Sequence, residues 1–278
     1  MGIFDFIGKN KKEGRRLENY PEMLNAQLLF FDKPTLNKAK IIDELSVYFG
    51  KIDSPEADGE FSFFFPEFEF DISGTTIPGQ CAILELGDKS SPAIPDEAFQ
   101  QNWHWQNARE TATQCTYGIL ISDLLTRTLH YKLRVELFMK FLVAVTKATN
   151  PQVIYSIPAK KLIDPAQLVK RWDGSAEVLT GLINVRLFKI TNSNIADILM
   201  DTVGLSYLGL PDFQMFLKSA NETRIAQLLW NYAYYIFERG DIIESGQTLE
   251  GVDENSKWKC ERKMGSLGPE RIVIDVHP

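Results

Sequence analysis

From Gln27 onward the apolar positions switch between a period of two and a period near 3.6, which predicts strands alternating with helices. Residues 27–31 read as a short strand. Residues 36–49 read as a helix, with Thr35 as its cap, Ile41, Ile42, Leu45, Val47 and Phe49 on a broad apolar face, and Gly50 as its stop. Residues 61–72 change character along their length. Phe61, Phe63, Phe64 and Phe65 suggest burial on both sides, but after Pro66 the acids Glu67, Glu69 and Asp71 alternate with Phe68, Phe70 and Ile72. That alternation predicts a half-solvated strand with Pro66 at an edge or a bulge. A Ser73–Gly74 turn leads into a strand over 81–86, Pro95 and Asp96 open a helix to about Glu110, and 114–123 is a strand. The first half therefore reads β-α-β-β-α-β.

A long helix over 129–148 follows, with Leu133, Leu137, Phe138, Phe141, Leu142 and Val145 on one side. The order then recurs without any repeat of sequence. Residues 153–157 form a strand, and 164–172 a helix with Asp164 as N-cap and Pro165 in its first turn. Residues 182–190 and 198–203 are strands. Residues 222–239 form a helix capped by Asn221 and closed by Gly240, apolar nearly all round and so predicted to lie in the core with its aromatics. Strands over 257–262 and 271–276 end the chain. The expected fold is α+β: two β-α-β-β-α-β-like halves, 24–125 and 126–278, in a two-layer helix and sheet arrangement with a shared core.

Charge changes the picture at two places. The chain carries a net −7, yet residues 1–16 hold five basic side chains against two acids after an apolar cluster of Ile3, Phe4, Phe6 and Ile7. That tail suits either a frayed terminus or weak association with an anionic membrane surface. Residues 52–88 contain no basic residue and nine acids, among them Glu67, Glu69 and Asp71. So acidic a body repels phosphate backbones, which argues against nucleic acid and leaves a solvated surface or a basic protein partner. No apolar run reaches membrane-spanning length, and the start lacks a secretory leader. Cys81, Cys115 and Cys260 are scattered, as expected of buried thiols in a reducing cytoplasm.

Candidate chemistry is sparse. Asn192, Ser193 and Asn194 tolerate turn geometry. If Ser193–Asn194 form the turn centre, Arg186 faces Asp201 across a hairpin. A partly buried guanidinium needs a carboxylate, so the pair either fixes the register or presents Arg186 to an anionic ligand. Asp212 after Pro211 is a further candidate, or a turn or cap. Trp103 and Trp105 around His104 could make an aromatic pocket with a proton carrier. His104, His130 and His277 are each alone, no nucleophile elbow or phosphate loop occurs, and no carboxylate pair has an acid/base pattern. No metal, cofactor or catalytic residue is therefore expected.

Several blocks in one order carry a resemblance: Asn184-Val-Arg-Leu-Phe, Met200-Asp-Thr-Val-Gly-Leu, Leu208-Gly-Leu-Pro-Asp212, Tyr234-Tyr-Ile-Phe-Glu-Arg-Gly-Asp241, Ser245-Gly-Gln-Thr248, Trp258-Lys-Cys260 and Arg271-Ile-Val-Ile-Asp275. Over roughly 103–278 they resemble bacterial proteins carrying the domain of unknown function numbered 4261. The resemblance implies a bacterial, cytoplasmic, folded domain and transfers no catalytic residue. The functional expectation is a non-catalytic interaction module, adaptor or immunity-like, that meets a basic partner through Glu67, Glu69 and Asp71. The alternative is an enzyme or small-anionic-ligand binder built on Arg186 and Asp201, with Trp103, His104 and Asp212.

Overall fold

A computed structural model describes the chain except for residues 1–16, 57–58, 87–93, 176, 192–195 and 219–220. The basic tail thus lies outside the described residues, as does the proposed Ser193–Asn194 turn. The first part runs β1 (Asn25–Phe30), α1 (Lys38–Leu45), β2 (Ser62–Ile72), β3 (Thr75–Glu85), α2 (Asp96–Gln100), α3 (Ala108–Gln114) and β4 (Tyr117–Leu124). The central helix α4 (Tyr131–Thr149) leads to β5 (Val153–Ser156), β6 (Lys161–Ile163) and α5 (Pro165–Ser175). Then come β7 (Asn184–Lys189), β8 (Ile198–Val203), β9 (Asp212–Leu217), α6 (Glu222–Arg239), β10 (Thr248–Glu250), β11 (Lys257–Met264) and β12 (Ile272–His277). The fold is α+β.

Two sheets organise these elements, in the orders β2-β3-β4-β1-β5-β6 and β10-β11-β12-β9-β8-β7. Pairing is antiparallel apart from β9 with β12. Because β5 and β6 join β1, the chain changes sheet after Ile163. Edge strand β2 shifts register between Phe65 and Phe70, where Pro66 cannot donate to a ladder. One apolar core joins both sheets through α4, whose residues from Leu137 to Val145 are buried apart from Lys140. Gly181 sits so close to the Met139 sulfur that a Cβ there would approach to 2.7 Å. Gly204 has φ +125°, and a Cβ on it would overlap the Leu182 carbonyl oxygen. That gives the glycine of the Met200–Leu205 block a steric reason.

Helix α6 covers the apolar face of the second sheet with Ile225, Leu229, Tyr232, Ala233 and Ile236, and Asn221 caps it as expected. Asp164 accepts from Ala166 N at 2.8 Å and starts α5. Elsewhere the helices are shorter than their patterns. Asn37, not Thr35, caps α1, accepting from Lys40 N at 3.0 Å. The helix expected over 96–110 is broken into α2 and α3, with Trp103-His104-Trp105 in the connection. Gln101 explains part of the break. Its amide donates to Leu187 O at 2.9 Å and accepts from Leu187 N at 2.8 Å, mimicking a strand partner on the free edge of β7. No helix among the described residues is long and apolar enough to cross a membrane.

Candidate functional site

Arg186 and Asp201 do pair across the β7–β8 hairpin, in the register the turn residues implied. Arg186 Nε lies 2.9 Å and Nη2 2.5 Å from the two oxygens of Asp201, a bidentate contact. Arg271 Nη2 also reaches Asp201, at 2.7 Å, and donates to Thr202 O at 2.9 Å. The other end of Arg186 pairs with Glu97 of α2 and donates to Gly268 O at 3.0 Å. Asp212 accepts from the Thr202 hydroxyl at 2.8 Å and from the N–H groups of Leu205 and Ser206 at 3.2 Å each. Burial pushes the Asp212 carboxyl above its ordinary range, against the pull of Arg271.

These residues are sealed: Arg186 and Asp212 are 0 % exposed and Asp201 1 %. A ligand cannot touch them, so the expectation that they share a ligand site with Trp103 and His104 is corrected. The reading of Asp212 as a turn or cap is corrected too, since it opens strand β9. A second sealed pair escaped sequence reading altogether. Arg134 Nε meets Asp123 Oδ2 at 2.5 Å, and Asp123 Oδ1 accepts from Leu24 N at 2.7 Å. Asp123 lies in strand β4 and Arg134 in helix α4, so no hairpin register links the two as one links Arg186 to Asp201.

Trp103 and His104 instead line a cleft of about 720 Å3 beside the sheet edges β6 and β7. Trp103 stands about half exposed at 49 %, an unusual position for an indole. Across the cleft, Trp230 of α6 is only half-buried, so this aromatic is a cleft wall as well as core. Lys161 of β6 is buried, its ammonium 5.7 Å from the Trp230 ring centre. Its Nζ donates to Ile183 O at 2.8 Å, and among the described residues no carboxylate pairs with it. Burial foremost, with the charge of Arg171 adding, brings the Lys161 pKa down to about 7.

Beside that carbonyl is Asn184, 5 % exposed, whose Nδ2 has no hydrogen-bond partner among the described residues. The cleft therefore presents two buried donors with unmet capacity, one of them cationic, between indole rings. His104 keeps an exposed face, but its Nε2 sits 3.0 Å from Leu162 O. Desolvation of that end and the nearby Lys161 push its pKa down to about 4, so at neutral pH it is an uncharged imidazole. Lys161 was not visible as a site residue in the sequence. Its one signal, shared with Lys160, is a pair of lysines in the otherwise apolar stretch from Ile157 to Ile163 with no acid before Asp164.

The acids Glu67, Glu69 and Asp71 do lie together, exposed on edge strand β2, with no cationic partner among the described residues. The three cysteines are buried free thiols.

No curated protein and no solved structure matches the chain. One family model does, and its match opens at Asp201, so Lys161, Asn184 and the Trp-His-Trp segment lie before it. Over residues 201–277, in its second half, the chain carries the domain of unknown function DUF4261.

Proposed function

We propose that the cleft binds a small anion with a flat apolar body, anchored by Lys161 and Asn184 and stacked against Trp103 and Trp230. One observation carries this reading: a buried lysine and a neighbouring buried amide, which among the described residues have no carboxylate and no hydrogen-bond partner respectively, line one open cleft. An unpaired buried charge and an unmet donor each cost free energy, and an acceptor-rich ligand relieves both at once. Clefts of this size hold small molecules, and this one sets indole walls among polar side chains such as Gln167, Arg171 and Gln227. The proposal keeps the anionic-ligand alternative but moves its centre from Arg186 to Lys161. Quenching of tryptophan fluorescence by benzoate, adenosine monophosphate and inorganic phosphate tests it. Saturable quenching by the aromatic anions, lost in Lys161→Met and in Trp103→Ala, supports the reading; equal response to benzamide and adenosine refutes it.

The outward row of Glu67, Glu69 and Asp71 supports a second role, a non-catalytic adaptor or immunity-like module meeting a basic protein. An edge strand offers backbone groups as well as charge to such a partner. We take the protein to be bacterial and cytoplasmic, a setting that fits three buried thiols. Weak membrane association through residues 1–16 is tested by liposome flotation of the full and truncated chains.

A further inference from the structure

On the polar face of the second sheet, one transverse row crosses the strands: Arg186, Asp201, Gln214, Asp275 and Glu261, each opposite the next. At one end the charges are satisfied by the Arg186 and Arg271 guanidinium groups. In the middle, Gln214 closes on Ser266, at 3.1 Å to its hydroxyl and 2.9 Å from its N–H. The far end differs. Asp275 is 1 % exposed; its Oδ2 meets the Lys263 ammonium, while among the described residues its Oδ1 has no hydrogen-bond partner. Directly opposite stands Glu261, and like charges so placed destabilise a sheet. His277, two residues along the same face, brings its Nε2 to 3.5 Å from Glu261 and 3.7 Å from Asp275.

We propose that Glu261, Asp275 and His277 bind a divalent first-row transition cation, with Zn2+ as the reference ion, and that Lys263 holds Asp275 until the cation displaces it. The three donor atoms lie within 4.8 Å of one another. Ligands about 2.0–2.1 Å from zinc in tetrahedral array stand roughly 3.4 Å apart, close to the two separations above. One imidazole with two carboxylates suits this class better than Mg2+, which prefers an all-oxygen octahedron. Lys263 is 36 % exposed and ends a flexible stem above the Phe216 ring, so its head can swing into water. Of the other cations on this face of β11, Lys259 is exposed opposite His277 and Lys257 pairs with Glu250. This site is independent of the cleft and of any ligand there.

Calorimetric titration of the metal-stripped full chain with ZnCl2, and separately with MgCl2, tests the proposal. One saturable zinc site with weaker magnesium binding is expected. His277→Ala and Glu261→Gln, both at exposed positions and checked for folding by circular dichroism, should weaken zinc at least about tenfold. Lys263→Met should tighten it, because a competing charge is gone. Absence of saturable zinc binding, or wild-type affinity in both His277→Ala and Glu261→Gln, overturns the site. Unchanged or weaker affinity in Lys263→Met overturns the displacement by Lys263.

Discussion

Lys161→Met removes one amine from surroundings that burial makes hostile to charge, and the effect on stability follows from its titration. The ammonium pKa falls from 10.5 to about 7. At about 1.36 kcal/mol per unit that is a penalty near 5 kcal/mol in acid, of which roughly 4 kcal/mol remains at pH 7. Methionine keeps the apolar stem but leaves the Ile183 carbonyl without its donor, at about 1 kcal/mol. The variant should therefore be more stable than wild type by ~3 kcal/mol at neutral pH. The unfolded chain holds this proton to about pH 10.5, whereas the folded protein releases it from about 7. Wild-type stability thus rises with pH through that window, and the advantage of the variant should vanish between about pH 9 and 10. Guanidinium unfolding of both proteins from about pH 6 to 10, followed by circular dichroism, measures the difference. A variant less stable at pH 7, or an advantage that does not change with pH, would refute the argument.

Ligand binding should report the same proton from the other side: affinity for an aromatic anion falls up to about tenfold per unit as pH rises above about 7, a slope that fluorescence titrations detect and Lys161→Met abolishes. Asp201→Asn strips the shared carboxylate from Arg186 and Arg271, so urea unfolding should show a loss of about 3–5 kcal/mol. Reversing Glu67, Glu69 and Asp71 to lysine, all exposed on β2, should change stability by no more than about 0.5 kcal/mol per site while abolishing capture of a basic partner. Undiminished capture would remove the interaction reading.

What the sequence made legible was local. The β7–β8 register follows from turn-tolerant residues and two opposite charges equidistant from them, and the caps Asn221 and Asp164 bond within their own first turns. What it hid depends on partners distant in the chain. Leu-Pro-Asp has the composition of a turn, yet Asp212 opens a buried strand because Thr202, Leu205 and Ser206 converge on its carboxylate. The helix expected to reach Glu110 stops at Gln100 while Gln101 binds the backbone of a strand 86 residues away. Lys161 belongs to no sequence motif. Only the fold, by bringing β6 against the start of β7, makes it a buried amine beside an unmet amide.

The sealed charges and the open cleft are mechanically joined. Glu97 of α2 binds Arg186 with one oxygen and Lys160 with the other, the latter at 3.3 Å. Lys160 precedes Lys161 in the chain, and Arg186 lies two residues from Asn184 on the same face of β7. One carboxylate therefore ties together the backbones that carry both proposed ligand donors. Buried ion pairs contribute little net stability but fix geometry firmly, because breaking them leaves a charge uncompensated. Arg186 would thus act on the proposed ligand without touching it. Glu97→Gln, at a half-buried position, should weaken ligand binding while leaving the Lys161 titration in place, whereas Lys161→Met removes both. If Glu97→Gln binds as wild type does, the network only holds the fold together, and the cleft is set by packing alone.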